Sequence, residues 1–354
     1  MANKMNILQA SPLKRSINSK LEYGSIERLI QYLDREFILL GHDSYIVSDS
    51  NSIINGKLIV CQSKNNQDIF SAPDKYEIQA KIILDSIEKY KIDIVHLHGR
   101  YILSTNEFSR RGFFQPFLVT LHGILRDIKE KYKSVPKQPN IHYNAVSIAQ
   151  KNNLSQFFNI EVPIYNGIPV DKFPFSECKE DYLFSFGRIA DDKGVINSIQ
   201  AAKKSGLKLV IGGVVFEQDR NYYQEKVRPH IDGENVIFVG PLKDKTKKEF
   251  YKNAKAFLMP IEYEDPCPLT VLESLACGTP VIAYAKGSLP ELVKHGKTGY
   301  IVNSIDEMVE GIQNIEKIEP FRCREYAENH FASKIMAQNY IKLYAQIVQS
   351  HKSG

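Results

Sequence analysis

The chain has 354 residues, 25% of them charged and 43% hydrophobic, values of a globular protein long enough for two domains of ordinary size. Its net charge of +5 falls short of the basic stripe of a nucleic-acid binder, and no run approaches the roughly 18 to 20 apolar residues of a membrane span. The start M-A-N-K-M-N lacks a signal-peptide core, and Cys61, Cys178, Cys267, Cys277 and Cys323 show neither C-x-x-C nor paired spacing. A reduced, cytoplasmic setting without a zinc site or disulfide frame is therefore expected.

Apolar runs alternate with helical-period segments nearly from end to end, the mark of an α/β fold with parallel sheets. A strand is predicted over 5–8, then a loop ending in Tyr23-Gly24-Ser25 and a helix to about 40. Ile26, Leu29, Ile30, Leu33, Phe37 and Leu40 form its apolar stripe. Strands over 44–47 and 58–61, a helix over about 76–90 and a strand over 94–97 follow. H-L-H closes that last strand, and alternation puts His96 and His98 on one face at the carboxyl edge, where open α/β sheets keep ligands. A metal pair and a pair of structural histidines both fit, although no third ligand stands at useful spacing. T-L-H-G over 120–123 ends another strand, and His122 is the first half's leading candidate, with a buried structural histidine as the alternative. The lysines of 127–137 suit either a solvated face or contact with an anionic membrane surface.

A strand and a helix start at Asn144, and I-Y-N-G-I-P-V-D-K-F-P-F then reads as a connector, stiffened by Pro169 and Pro174 and bent at Gly167. The domain boundary is expected between 165 and 180. The second half opens with Y-L-F-S-F-G-R-I-A-D-D-K-G, a strand, a loop and a helix starting near 194. Arg188 and Lys193 place two cations beside one loop, as neutralising a diphosphate demands. A strand over 207–211 ends at Gly212-Gly213, a charged helix is predicted over about 219–231, and a strand over 236–239 ends at Gly240-Pro241. A helix over about 245–254 and a strand over 256–260 lead to the most informative stretch, 261–302. Its helix, about 269–277, stops at Gly278 before Pro280 and a strand over 281–284. The helix start near Pro268, Leu269 and Thr270 offers free N–H groups and a positive dipole end to a phosphate, with carboxylates at Asp265 before it and Glu273 within it. The tail, with Ile335, Tyr340, Leu343, Tyr344 and Ile347 at helical spacing, is a further helix.

Asp265-x7-Glu273 followed by A-C-G-T-P-V-I-A, with G-R-I-x-x-x-K-G and I-x-N-G-I upstream, resembles the family 4 glycosyltransferases over about residues 5 to 348. Two residues depart from the family's aromatic and Gly (Cys267 and Pro268), Asp265 replaces the usual Glu, and Ser25 replaces the second Gly of a Gly-Gly turn represented by Gly24, with Glu27 after it. The resemblance implies a GT-B fold: two doubly wound, Rossmann-like parallel-sheet domains facing across a cleft. Residues 1–168, with a tail helix from about 335 to 354, would form the acceptor side, and 169–334 the nucleotide-sugar side. It implies a retaining enzyme in which Arg188, Lys193 and the amides near Leu269 and Thr270 meet the leaving diphosphate. Glu273 would bind ribose, Asp265 and His122 the donor sugar, Gly24 the phosphate or acceptor, and Gly212, Gly213 and Gly240 the base and ribose, unless these glycines are plain turns. A UDP-sugar donor, a glycan, glycolipid or small-molecule acceptor and no metal or other cofactor are expected. A nucleotide-sugar epimerase and a non-catalytic subunit of the same fold are the alternatives.

Overall fold

The computed structural model describes residues 4–18, 24–63, 68–99, 101–111, 113–124 and 138–353. Tyr23 and the lysine-rich stretch 127–137 lie outside the described residues. The chain divides into two compact units, one of 1–167 with 333–354 and the other of 168–332.

The first unit is built on six parallel strands, β1 (Asn6–Ala10), β2 (Asp43–Ser48), β3 (Lys57–Val60), β4 (Ile94–Leu97), β5 (Phe117–Leu121) and β6 (Ile141–Ala145), in the order β3-β2-β1-β4-β5-β6. The central strands read as unbroken apolar runs, F-L-V-T-L in β5, because a parallel sheet is covered on both faces. Leu8, Val95, Phe117 and Val119 accordingly have no more than a trace of exposed surface. The stripe on helix Ser25–Leu39 packs against the C-terminal helix Ser333–Ser353. There the Phe37 and Tyr344 rings meet edge to face at 5.7 Å, and the Ser333 hydroxyl donates to Glu36 Oε1 at 2.9 Å. β1 extends two residues beyond the predicted strand, to Ala10, because β4 and β2 both continue to pair with it.

The second unit repeats the plan with β7 (Glu180–Phe186), β8 (Lys208–Gly212), β9 (Val236–Gly240), β10 (Ala254–Met259), β11 (Val281–Tyr284) and β12 (Gly299–Val302), in the order β12-β11-β10-β7-β8-β9. The chain moves outward from β7 to β9, then returns to the other side of β7 for β10. That reversal opens a crevice at the carboxyl ends of β7 and β10, the place where doubly wound sheets bind ligands. One departure from the sequence reading occurs here. The charged helix expected over 219–231 is broken into a 3-10 turn at Glu217–Asp219, one α-turn, a π-helix at Tyr223–Val227 and a second 3-10 turn at Arg228–His230. Pro229 is the physical reason for the close, since it donates no N–H and its ring blocks the preceding turn. Two further helices follow β12: Ile305–Gln313, which packs on β12 and β11, and Pro320–Phe331, which packs on the helix Leu269–Ala276. The first begins where the Ser304 hydroxyl accepts from Glu307 N at 3.1 Å.

Candidate active site

At the β7 and β10 crevice, backbone sterics bring the two loops together. Gly194 ends a 3-10 turn, Asp191–Lys193, in the left-handed conformation at φ 65°, and a Cβ there would stand 1.9 Å from the Pro260 carbonyl oxygen. Only glycine allows this approach. The contact is clamped by Glu262 N donating to Asp192 O at 3.0 Å and by the Asn197 amide donating to Glu262 Oε1 at 2.8 Å.

Lys193 is thereby carried to the loop after β10. Its ammonium donates to the Tyr263 phenol, lies 4.5 Å from that ring's centroid and is 3.8 Å from Asp265 Oδ2. The phenol in turn donates to Asp265 Oδ2, making a cation, hydroxyl and carboxylate chain. Asp265 is held from behind, because its carbonyl accepts from Ser288 N at 3.0 Å and from the Ser288 hydroxyl at 3.1 Å. Lys193 and Asp265 retain 24% and 13% of their side-chain exposure, enough for an entering ligand to reach them.

Arg188 follows β7 by two residues. One of its terminal nitrogens meets both oxygens of Asp192, at 2.9 and 2.8 Å, and the other stands 3.6 Å from Asp219 Oδ2. Each predicted cation is thus matched with carboxylate from its own chain. An incoming diphosphate would compete with Asp192 for Arg188 and with Tyr263 and Asp265 for Lys193.

Helix Leu269–Ala276 starts at Pro268 with no side-chain cap, leaving the first N–H groups as open donors at the positive end of the helix. Thr270 Oγ1 turns to Met259 Sδ at 3.7 Å, and Leu269 is buried. Glu273 is buried too, and its Oε1 accepts from the buried Lys247 ammonium at 2.7 Å. Gly212 is packed: a Cβ there would lie 2.8 Å from Leu242. Gly240, at φ 69°, faces open space, although its carbonyl already accepts from Gly213 N at 2.8 Å.

The first unit carries the remaining predicted residues. Gly24 starts helix Ser25–Leu39, and Glu27 in its first turn is buried, which raises its pKa despite a backbone bond and nearby Arg15 and Lys14. His122 Nε2 lies 3.1 Å from His98 Nδ1, and His98 Nε2 lies 3.1 Å from Gln9 Oε1. Burial lowers the His122 pKa to about 4 and holds His96 and His98 well below the ordinary histidine value, so all three rings are neutral near pH 7. His96 bonds Thr120 and Tyr344, both at 2.6 Å, which commits both ring nitrogens to protein partners.

Sequence reasoning missed Tyr263, Lys247 and Gln9. Lys247 had left a signal, since it sits one turn before the buried Tyr251 on the apolar side of helix Asp244–Asn253, an odd place for an unpaired charge. Tyr263 had left none.

The family model for glycosyl transferases group 1 matches residues 171–330, the span containing every charged residue of this crevice. Glycogen synthase of Mycobacterium tuberculosis is 32% identical over 326 residues, covering 78% of each chain. The chain belongs to the group 1 glycosyltransferases. Solved structures share the GT-B fold of this glycosyltransferase. Sucrose-phosphate synthase of Thermosynechococcus elongatus superposes with a TM-score of 0.79 at 19% identity, covering 98% of this chain and 100% of the other. HepE of Anabaena, in complex with UDP and glucose, gives 0.71 at 15% identity over 96% and 99%. No helix among the described residues of the glycosyltransferase is long and apolar enough to cross a membrane.

Proposed function

We propose that this group 1 glycosyltransferase is a retaining, family 4 type enzyme that moves a sugar from a UDP-sugar to a hydroxyl of a glycan, glycolipid or small-molecule acceptor, working in the cytoplasm in glycan or cell-surface polysaccharide synthesis. The carrying observation is the meeting of Lys193, Tyr263 and Asp265 at the switch point of the second sheet, in the loop that leads into an uncapped helix start. Such a place supplies what a sugar diphosphate needs: a cation and open amides for the phosphates, and a carboxylate for sugar hydroxyls.

In this reading the departing diphosphate draws on Lys193, Arg188 and the amides of Leu269 and Thr270. Asp265 accepts from the sugar's hydroxyls, and Glu273, oriented by Lys247, accepts from the ribose. Gly240, with open space before it, lets the base or ribose come close to the backbone, and His122 contacts the donor sugar. The acceptor hydroxyl attacks on the face the diphosphate leaves, and a phosphate oxygen takes its proton, so the C–O bond made replaces the C–O bond broken with the anomeric configuration kept. The enzyme's part is positioning and charge stabilisation. The lysines of 127–137 suit peripheral contact with an anionic membrane. The UDP complex of HepE supports the choice of donor base.

Thermal-shift screening against UDP, GDP and ADP, then their sugars, tests the donor. Binding is expected to favour UDP and to stabilise by about 2.7 kcal/mol at a hundredfold excess over Kd. NMR of the product anomer tests the stereochemistry, and an inverted product would overturn the retaining assignment.

A further inference from the structure

Gln9 in β1, His98 just after β4 and His122 just after β5 form a hydrogen-bonded row at the switch point of the first sheet. The direction of that row follows from donor chemistry. The Gln9 oxygen only accepts, so His98 carries its proton on Nε2; a neutral imidazole then has a bare Nδ1, which must accept. His122 therefore donates from Nε2. That leaves its Nδ1 as a lone pair on a partly exposed ring, with no hydrogen-bond partner among the described residues.

A second network holds the row in place. The Asn144 amide nitrogen donates to the Ala145 carbonyl at 3.2 Å, so its oxygen accepts the Thr120 hydroxyl proton at 2.7 Å. Thr120 Oγ1 then accepts from His96 Nε2, and His96 Nδ1 accepts from the Tyr344 hydroxyl, each at 2.6 Å. With both nitrogens held, the His96 ring is a fixed platform against which His98 lies at 4.0 Å between centroids. Gln9 Nε2, the other end of the Gln9 amide, is fully buried and has no hydrogen-bond partner among the described residues.

We infer that Gln9 and His98 are positioning residues that hold His122 in the tautomer with its proton on Nε2, so that His122 Nδ1 accepts a hydrogen bond from a substrate hydroxyl. The inference rests on the reading above, in which His122 touches substrate. It narrows the contact to a hydroxyl, because a bare nitrogen repels a carbonyl or phosphate oxygen. The reversed Gln9 amide would run the row backwards and put the proton on His122 Nδ1, so direction is a measurable property.

Long-range 1H–15N NMR of the full chain, ligand-free and labelled at histidine, reads it. His122 is expected with Nε2 protonated and Nδ1 bare. His98→Asn, whose oxygen stands near the lost Nδ1, should keep that tautomer alone, whereas His98→Leu, with no acceptor for the Nε2 proton, should show a fraction of His122 protonated at Nδ1 instead. A protonated Nδ1 in the unaltered chain, or the same tautomer alone in His98→Leu, overturns the inference. If His98→Leu does not fold, Gln9→Glu, which keeps an acceptor, and Gln9→Met, which removes it, make the same contrast. With UDP-glucose as probe, His122→Asn, which keeps an acceptor at the Nδ1 position, should retain about tenfold more turnover than His122→Gln. Equal loss in both overturns the hydroxyl contact. No turnover by the unaltered chain with any UDP-sugar would count against the transferase reading, while the tautomer measurement would still decide the arrangement of the row.

Discussion

The two sheets share one strand order and yet hold opposite chemistry at the same topological place. At the switch point of the first sheet stand neutral groups: the buried Gln9 and His98 in one row with the partly exposed His122, and buried His96, Thr120 and Asn144 beside it. At the switch point of the second stand charges matched in pairs, Arg188 with Asp192 and Lys193 with Asp265, bridged by a phenol. Strand topology decides where a ligand can rest, and the loops decide what it meets. A neutral lone pair suits a hydroxyl; paired cations that can exchange carboxylate for phosphate suit a diphosphate.

The comparison can be broken first at its most buried charge. Lys247→Leu leaves the Glu273 side chain without its partner in a buried site and should destabilise the second unit by about 3 to 5 kcal/mol in denaturant unfolding. Adding Glu273→Leu should recover most of that loss, because the desolvation of both charges disappears with the pair. The double variant should still lose the ribose contact proposed for Glu273.

Lys193→Ala should lower sugar transfer by on the order of 10² to 10³, the effect of removing one donor to a developing anion. Unchanged transfer would remove Lys193 from the leaving-group site. Gly194→Ala tests the approach of the two loops: the Cβ would collide with the Pro260 carbonyl, and a loss of roughly 1 to 3 kcal/mol is expected together with weaker UDP binding by calorimetry.

The first unit should respond to acid instead. The folded pKa of His122 lies at about 4, below the ordinary 6.5, so the unfolded chain binds more protons between those values. The stability contributed by neutral His122 is complete above about 6.5 and is lost as pH falls toward 4, and His96 and His98 act in the same direction. Thermal unfolding followed from pH 7 to 4 should show this, and His122→Asn should flatten the slope. The smallest effect is expected from Asp192→Asn, which loosens a partly exposed pair with Arg188 by about 0.2 to 1 kcal/mol. It should tighten UDP binding, since less competes with the diphosphate.

Much of this was legible in the chain itself. Alternating apolar runs and helical stripes gave most of the parallel strands among the described residues their approximate places, and Asp265, Glu273, Arg188 and Lys193 stood out through the resemblance of Asp265-x7-Glu273 and G-R-I-x-x-x-K-G to a known family. The helix expected over about 219–231 breaks into short turns because the helical spacing of charged residues runs on past Pro229, where the hydrogen-bond ladder cannot. By itself the sequence determined the local elements, since periodicity, glycine stops and proline breaks act within a few residues. Only the tertiary structure decided the pairings: Lys247 with Glu273 across 26 positions, Lys193 with Tyr263 across 70, and Gln9 with His98 across 89. Hydrogen bonds and ion pairs of that reach depend on distances of a few ångströms between strand ends, and residue spacing along the chain carries no record of them.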